Sequence, residues 1–282
     1  SKVSSEEPAP NGLKIQCAIL RIPAPGAVIF MEKEFEGKVA IITGGGQGMG
    51  RSVAQKLSLE GANVIVNDKN LEALSKVVND LTSSGASAVA APGDVTKKDD
   101  VDAIVGTALD QFGTVDILVN NAGILFRTPL LDMEEEEWDL VINVNMKGTY
   151  LFSRAVIPHM RKAGWGRIVN FSSTAGKAVS TLGGPHYTAA KAGILGLTRA
   201  VAKEVAPMGI TVNAVCPGLV DTEMVQENVS NQQLTRYIDS FPIPRICDPS
   251  EVAELVAFLA SDRAAYITGA SLDINGGDLM IS

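Results

Sequence analysis

Histidine and cysteine are scarce in this chain, whose 282 residues include two histidines and three cysteines. Cys17, Cys216 and Cys247 are odd in number and show no C-x-x-C spacing, so neither a disulfide framework nor a zinc site is expected. The lack of a disulfide framework favours a reducing compartment, and we predict a cytoplasmic location. His159 and His186 form no H-E-x-x-H pattern, so we predict no bound metal.

Basic clusters and long apolar runs are also missing. Lys and Arg number 24 against 32 Asp and Glu, which gives a formal net charge of -8. Because binding to nucleic-acid phosphates requires clustered basic residues, no nucleic-acid partner is expected. The apolar stretch 18–30 is interrupted by Arg21 and two prolines, which leaves it too short for a membrane helix. Two glutamates within the first eight residues also disfavour a secretory signal.

What the chain does contain, from about residue 38 onward, is an alternation of short apolar runs and longer helical stretches. The apolar runs are rich in Val and Ile, as expected for strands that are buried on both faces of a parallel sheet. They predict strands at 38–43, 62–67, 87–91, 115–120, 167–171, 210–215 and 271–274. The intervening stretches predict helices at 48–60, 71–84, 97–112, 134–162, 187–205 and 250–260. This order predicts a single doubly wound, Rossmann-type α/β domain with a seven-stranded parallel sheet and helices on both faces.

Residues 1–35 do not follow this alternation, and we expect them to form an N-terminal extension ahead of a catalytic domain at 36–282. The segment contains four prolines and no sustained period, which is typical of a flexible arm or a leader. An arm that docks on a neighbouring subunit is the alternative. Met31 precedes the first charged segment of the domain and could be a natural start.

Residues 43–50 read T-G-G-G-Q-G-M-G, directly after the first predicted strand. Glycines allow the backbone to approach a diphosphate closely, and the N-terminus of the following helix offers free N–H groups and a positive dipole. A plain glycine-rich turn between a strand and a helix would look the same in isolation. The T-G-x-x-x-G-x-G spacing of Thr43, Gly44, Gly48 and Gly50 resembles the cofactor turn of the short-chain dehydrogenase/reductase family.

Asp68 ends the second predicted strand, 24 positions after Gly44. A carboxylate there can accept hydrogen bonds from the adenosine ribose hydroxyls and repels the 2′-phosphate of NADP. NADP-preferring members of the family place a basic residue in the glycine turn or just after the second strand. Gln47 is uncharged, whereas Lys69 is the one feature against this interpretation. We therefore predict NAD as the cofactor, with NADP less favoured; an ordinary loop Asp is the alternative.

Three further segments resemble the family: G-D-V at 93–95, N-N-A-G at 120–123 and C-P-G-L-V-D-T at 216–222. All follow predicted strands, where ligands bind in open α/β sheets. In the family they line the adenine pocket, border the cofactor and position the nicotinamide, with Thr222 on its carboxamide. The resemblance implies cofactor binding by Gly44, Gln47, Gly48, Met49, Gly50, Asp68, Asp94, Val95, Asn121, Ala122, Gly123, Tyr187, Lys191, Pro217, Gly218, Val220 and Thr222.

Tyr187 is followed four residues later by Lys191, so both side chains lie on one face of a helix. A phenol has an ordinary pKa of about 10 and is a poor base at neutral pH. A nearby ammonium in a low-dielectric cleft is expected to lower that pKa by ~3 units. A surface pair with the same spacing is the alternative interpretation of Y-x-x-x-K.

Two other residues complete a catalytic set by resemblance. Ser173, chosen over Ser172 by the S-x-x-G spacing, matches the serine that donates a hydrogen bond to the substrate oxygen in the family. Asn145, chosen over Asn143 by the N-x-x-G spacing, matches the asparagine that holds a water next to the lysine. The predicted catalytic residues are thus Asn145, Ser173, Tyr187 and Lys191.

The sequence gives less information about the residues that contact the substrate. Residues of about 222–245 are expected to form a flexible lid. A partly apolar pocket is predicted from Leu125, Phe126, Ser173, Val179, Leu182, His186, Leu219 and Met224. His186 could instead be a satisfied polar residue, and Cys216 is expected to be a small buried side chain rather than a nucleophile.

These features predict an enzyme that transfers hydride between NAD(H) and a secondary alcohol/ketone pair, with Tyr187 as the proton-transfer residue and a small-molecule substrate. A 3-oxoacyl-thioester (acyl-carrier-protein) reductase is an alternative, although Asp68 and Gln47 disagree with the NADP preference usual for that group. A non-catalytic NAD-binding regulatory subunit is the alternative of another class. Family members usually form dimers or tetramers, and we expect a homodimer or homotetramer here, built on the 187–205 helix and the segment after residue 269.

Overall fold

The structure, a computed structural model, describes residues 33–281. Within them the chain forms a seven-stranded sheet in the order β3-β2-β1-β4-β5-β6-β7, and every neighbouring pair is parallel. The strands are β1 (Val39–Thr43), β2 (Asn63–Asn67), β3 (Ala88–Ala90), β4 (Ile117–Asn120), β5 (Gly166–Phe171), β6 (Ile210–Pro217) and β7 (Ser271–Ile274). The predicted fold class is therefore confirmed, and the strand bounds agree with the predicted ones to within about two residues.

Nine α-helices occur in the described part of the chain. They are α1 (Gly48–Leu59), α2 (Leu71–Ser83), α3 (Lys98–Phe112), α4 (Glu135–Ile142), α5 (Gly148–Ala163), α6 (Pro185–Val205), α7 (Glu223–Asn228), α8 (Asn231–Ser240) and α9 (Pro249–Ala260). Helices α1, α2 and α9 bury one apolar cluster against the sheet, and α3, α5 and α6 bury another. Strands β1 and β4 are fully buried between the two clusters, which explains why both lack polar alternation.

The strand order places a topological switch between β1 and β4. From β1 the chain proceeds outward to β2 and β3, and then returns to β4 on the other side of β1. The loops that leave the carboxyl ends of β1 and β4 therefore diverge and leave a crevice between them. The glycine turn and the 120–123 segment both lie at this crevice, which makes it the position for a ligand.

Two predicted segments differ in the structure. The single helix expected at 134–162 is divided into α4 and α5 by a wide π-type turn at Asn143–Lys147. The expected lid contains two helices, α7 and α8, where we predict none. A capping box, in which Ser230 and Gln233 satisfy each other's backbone N–H groups, begins α8; S-x-x-Q was the sequence signal that could have revealed it.

The start of the domain also differs from the predicted boundary at residue 36. Phe35 is buried in the core, and its backbone N–H donates to the Glu60 carbonyl at 2.9 Å. The Glu34 carboxylate pairs with Arg263, so residues 34 and 35 belong to the domain. Residues 1–32 of the predicted extension, including Cys17 and Met31, lie outside the described residues. Among the helices of the described part of the chain, none is both long and apolar enough to span a membrane, and the oligomeric state stays a prediction.

Candidate active site

A cleft of about 310 Å³ opens at the carboxyl ends of β1, β4 and β5. It brings together residues that lie far apart in the chain and that the sequence analysis selected separately. The predicted cofactor and catalytic residues that line the cleft are Gly44, Gln47, Gly48, Met49, Asp68, Asp94, Val95, Asn121, Ala122, Gly123, Asn145, Ser173, Tyr187, Lys191, Pro217, Gly218 and Thr222. Only Gly50 and Val220 of the predicted cofactor residues do not line it.

Gly50 lies beneath the residues that line the cleft, where α1 contacts the glycine turn. A Cβ atom at this position would lie 2.2 Å from the Gly44 carbonyl oxygen and 2.5 Å from the Asn121 amide nitrogen. The missing side chain therefore allows α1 to pack directly against the turn that precedes it. Val220 is buried in the core at 2% exposure and borders a second, smaller cavity.

The glycine turn is shaped for an anion. Gly44 has φ +62° and Gly48 has φ +50°, a left-handed conformation that side chains disfavour. Gln47 caps α1 without a side-chain hydrogen bond, and the first turn of the helix contains no acidic residue. The N–H groups at the start of α1 are thus left for a ligand, and the helix dipole favours a negative charge there.

Asn121 connects the glycine turn to the end of β4. Its side-chain amide donates to the carbonyls of Thr43 at 3.0 Å and Gly44 at 2.9 Å. In return, the Thr43 hydroxyl accepts from the backbone N–H groups of Asn121 and Ala122, both at 3.1 Å. The two sides of the crevice are therefore joined by four hydrogen bonds.

Asp68 lies at the edge of the cleft, at the carboxyl end of β2. One carboxylate oxygen accepts from the Gly46 N–H at 3.0 Å, and the other accepts from the Asn70 N–H at 2.9 Å. These contacts fix the carboxylate beside the glycine turn. Lys69 also lines the cleft, so the one basic residue that disfavours the NAD prediction is present at the same edge.

Asp94 lies on the cleft wall after β3. Burial raises the pKa of its carboxyl group, but hydrogen bonds from the backbone N–H and hydroxyl of Thr96 outweigh that effect, so the net pKa lies below its ordinary value. Asp94 is therefore ionised and acts as a hydrogen-bond acceptor at neutral pH.

Tyr187, Lys191 and Ser173 meet in the cleft, as the spacing of the sequence predicts. The Lys191 ammonium lies 5.5 Å from the centre of the Tyr187 ring and donates to the Phe171 carbonyl at 2.8 Å. Ser173 ends the extended segment after β5, and its hydroxyl accepts from the Ala175 N–H at 3.1 Å. By contrast, the Ser172 hydroxyl is buried and donates to the Lys191 carbonyl at 2.8 Å, so Ser172 does not offer its hydroxyl to the cleft.

The expected lowering of the tyrosine pKa is wrong for this cleft. Although part of Tyr187 faces the opening, desolvation raises its pKa to about 12, and a hydrogen bond with Ser173 opposes this only in part. Desolvation also lowers the pKa of Lys191 to about 8. Burial disfavours both charged forms, and the Lys191 ammonium does not offset the effect of burial on the pKa of Tyr187.

Asn145 lies in the wide turn between α4 and α5, and its side chain explains that turn. Its amide nitrogen donates to the carbonyls of Val141 at 2.9 Å and Ile124 at 3.0 Å. Its side-chain oxygen is buried and has no hydrogen-bond partner within the described residues. That oxygen would lie 2.7 Å from a Cβ on Gly123, and the Lys191 nitrogen would lie 3.5 Å from it. A free acceptor, a glycine and the lysine therefore converge, as is frequent at π-type turns in functional sites.

A second cavity of about 110 Å³ adjoins the cleft. Both cavities are lined by Met49, Ser173, Tyr187, Gly218, Thr222 and Met224. Ser173, Tyr187 and Thr222, which carry hydroxyl groups, therefore lie where the cleft and the second cavity meet. Of the predicted substrate residues, Leu125, Ser173, Leu182, Leu219 and Met224 line this second cavity.

Three predicted substrate contacts line neither of these cavities. Val179 is 86% exposed and Phe126 is 38% exposed, and the Phe126 ring lies 6.5 Å from that of His186. His186 is fully buried: its Nε2 pairs with Glu137 at 3.0 Å, and its Nδ1 accepts from the Tyr187 N–H at 2.9 Å. Of the two alternatives predicted for His186, a substrate contact or a buried polar residue with satisfied hydrogen bonds, the structure shows the second. Cys216 is buried, and desolvation raises the pKa of its thiol to about 11, as expected of an unreactive side chain.

Sequence reasoning missed several residues of the cleft wall. Thr96, Ile124, Leu140, Val144 and Glu223 line it without having been selected. Leu140 and Val144 reach it because α4 continues into the wide turn, which the sequence pattern did not indicate. Thr96 and Ile124 each follow a selected motif by one residue, so extending those motifs would have found them.

Comparisons with known proteins agree with this geometry. A family model described as enoyl-(acyl carrier protein) reductase matches residues 44–278. The 3-oxoacyl-[acyl-carrier-protein] reductase of Synechocystis sp. is 42% identical over 245 residues, which cover 86% of this chain and 97% of that protein. The 3-oxoacyl-[acyl-carrier-protein] reductase of Vibrio cholerae is 41% identical over 246 residues, which cover 87% and 99% respectively.

A solved structure gives the same result for the fold. The crystal structure of a provisionally assigned gluconate dehydrogenase from Agrobacterium tumefaciens matches with a TM-score of 0.84 at 32% identity, covering 89% of this chain and 99% of that one. These relatives thus share nearly their full length with this chain.

Proposed function

Since the chain belongs to the short-chain dehydrogenase/reductase family of oxidoreductases, we propose that it reduces the 3-oxo group of an acyl thioester with hydride from NADH. The observation that carries the proposal is the position of Ser173 and Tyr187 at the junction of a dinucleotide-sized cleft and a smaller, mostly apolar cavity. The thioester part rests on the relatives that are named 3-oxoacyl-[acyl-carrier-protein] reductases.

The residues of the cleft fit a nicotinamide dinucleotide. The uncapped start of α1 and the left-handed Gly44 and Gly48 would hold its diphosphate. Asp68 at the end of β2 would accept hydrogen bonds from the adenosine ribose, and Asp94 would lie at the adenine end. Lys191, Pro217, Gly218 and Thr222 would hold the nicotinamide end.

When bound, the nicotinamide supplies or accepts the hydride. Tyr187 donates its hydroxyl proton to the ketone oxygen during reduction and takes it back during oxidation. Ser173 donates a hydrogen bond to the same oxygen, where negative charge develops. Lys191 holds a positive charge beside the phenol, and the free side-chain oxygen of Asn145 can hold a water through which the proton is replaced.

The protonation state of Tyr187 matches the proton donation that reduction requires. A Tyr187 pKa of about 12 keeps the phenol protonated at neutral pH, as a proton donor to a ketone requires. With its pKa at about 8, Lys191 carries its charge below that pH and loses it as the pH rises through that value. Reduction is therefore supported at neutral pH, whereas oxidation requires a phenolate that high pH favours.

Cofactor choice is tested at Asp68. We expect Asp68→Asn to lower the preference for NADH over NADPH by about 10- to 100-fold, because the carboxylate that repels the 2′-phosphate is removed. The amide keeps the size of the side chain and an acceptor for the Gly46 N–H. The measurement is kcat/KM for both cofactors with one ketone.

A matched control removes a charge elsewhere. Asp80 is exposed near the end of α2, and Asp80→Asn is expected to leave the cofactor ratio unchanged. A wild-type enzyme that uses NADPH better than NADH, or an Asp68→Asn variant with an unaltered ratio, would contradict the assignment of NADH.

The substrate class is tested with purified full-length protein and NADH. We expect reduction of short 3-oxoacyl thioesters, such as an acetoacetyl thioester, with kcat/KM at least about 10-fold above that for simple ketones, because the cavity of about 110 Å³ takes a short acyl group next to the reacting carbon. NADH consumption is followed by absorbance. If no thioester is reduced while secondary alcohols are oxidised, the thioester part of the proposal is wrong.

A second candidate is a dehydrogenase of small secondary alcohols or polyols, which the structural relative described as a gluconate dehydrogenase favours. The same assay run with NAD and an alcohol panel distinguishes it. A protein that binds NADH but turns over no member of either panel would instead match a non-catalytic NAD-binding subunit.

A further inference from the structure

The charge of the second cavity restricts which ketones can enter it. Its wall is apolar at Leu125, Leu182, Leu219, Val225 and Phe241, and neutral hydroxyls come from Ser180, Thr181 and Tyr237. Within the described residues, the only charged side chain that lines it is Asp278, an exposed residue after β7. A carboxylate on the substrate would therefore lose hydration without gaining a cation.

Three basic residues lie two positions along the chain from residues that line this cavity, and each has another partner. Arg127 donates to the Asn228 carbonyl at 2.7 Å, and Lys177 donates to Asp273 and to the Ser271 carbonyl. Arg51 pairs with Glu223 at 3.1 Å. Arg236 is adjacent to Tyr237 on α8, and neighbouring positions of a helix point to different sides.

The position of Asp278 is set by the packing of the C-terminal loop on the lid. The Ile243 N–H donates to the Gly276 carbonyl at 3.0 Å, and the Asp278 N–H donates to the Asn275 carbonyl at 3.1 Å. Tyr237 and Phe241 of the predicted lid line the same cavity as Asp278 and Tyr187, so Asp278 borders the space that adjoins the reacting group.

We infer that the enzyme selects ketones whose substituents are uncharged near the reacting carbon, and that Asp278 is a specificity-determining residue that disfavours substrates with a free carboxylate. This inference rests on the proposed function and deepens it. A thioester or ester of a 3-oxo acid is accepted, whereas the free 3-oxo acid is repelled by Asp278 and finds no cation in the described wall.

The test compares one carbon chain in two charge states. With full-length enzyme and NADH, kcat/KM is measured for an uncharged acetoacetyl ester and for free acetoacetate. We expect the ester to exceed the acid by about 10- to 100-fold. In Asp278→Asn the ratio of the ester value to the acid value falls about 5- to 10-fold, and in Asp278→Lys it falls further. The effect weakens at high salt because Asp278 is exposed.

Asp80→Asn serves as the charge-matched control and leaves the ratio unchanged. A second pair of substrates, butan-2-ol and 3-hydroxybutanoate, is compared in the oxidative direction with NAD. This pair also differs in the presence of a carboxylate, but it contains neither a thioester nor an ester. If only this pair reacts and the alcohol is preferred, the inference stands and the thioester function fails. If the acid of either pair is used as well as its uncharged partner, or if Asp278→Asn and Asp278→Lys leave the ratios as they are, the inference is overturned.

Discussion

Tyr187→Phe is expected to lower the turnover number by about 1,000-fold or more while NADH still binds. The substitution removes only the hydroxyl group that lies at the junction of the two cavities. General acid catalysis typically contributes about 100- to 10,000-fold to a rate, and no second phenol lines the cleft in the described part of the chain. Turnover is measured with a saturating ketone, and NADH binding is measured by fluorescence titration.

Tyr150→Phe is the matched control, since Tyr150 is 44% exposed on α5 and loses the same oxygen atom. It should retain full turnover. A Tyr187→Phe variant that keeps more than about a tenth of the wild-type rate would show that another group transfers the proton. An unchanged thermal unfolding midpoint would exclude misfolding as the cause of a loss.

Gly50→Ala is expected to lower the free energy of unfolding by about 1–3 kcal/mol and to weaken NADH binding by at least about 100-fold. The new methyl group would lie 2.2 Å from the Gly44 carbonyl oxygen and 2.5 Å from the Asn121 amide. Either α1 moves away from the turn or the turn itself shifts. Both movements displace the N–H groups that face the diphosphate site.

Gly106→Ala provides the comparison, because it also changes a helical glycine but finds no heavy atom within 4 Å of its Cβ. It is expected to raise the free energy of unfolding by up to about 1 kcal/mol through helix propensity. Chemical denaturation and NADH titration of both variants test the difference. Tight NADH binding by Gly50→Ala would mean that the contact between α1 and the turn does not shape the cofactor site.

The fold could be predicted because its signals are local. Buried parallel strands are continuous runs of Val and Ile, and β1 reads Val-Ala-Ile-Ile-Thr with every residue buried, so composition and length suffice to locate it. Helix α8 was missed although Leu234, Tyr237 and Ile238 follow the i, i+3, i+4 spacing of an amphipathic helix, because the whole segment was interpreted as a flexible lid. The wide turn at Asn143–Lys147 depends on contacts of Asn145 with Ile124, which no local pattern contains.

The cofactor cleft was predicted better than the substrate cavity for a related reason. A glycine turn and a strand end are determined by backbone geometry, so their spacing in the sequence is informative. The pKa of Tyr187 depends on how deeply folding buries it, and the direction expected from Lys191 alone was wrong. Phe126 and Val179 were chosen for their apolar character, yet both side chains are exposed, and a single sequence does not give the direction of side chains on loops.

The four hydrogen bonds between Asn121, Ala122, Thr43 and Gly44 make the ends of β1 and β4 one rigid frame beneath the dinucleotide. The walls of the smaller cavity come from other segments, around residues 180–182, 219–225, 237–241 and 278. The two cavities can therefore be redesigned separately. Variants with substitutions confined to those segments should accept a different range of ketones while cofactor binding is unchanged. This separation makes the chain a suitable template for engineering new reductases.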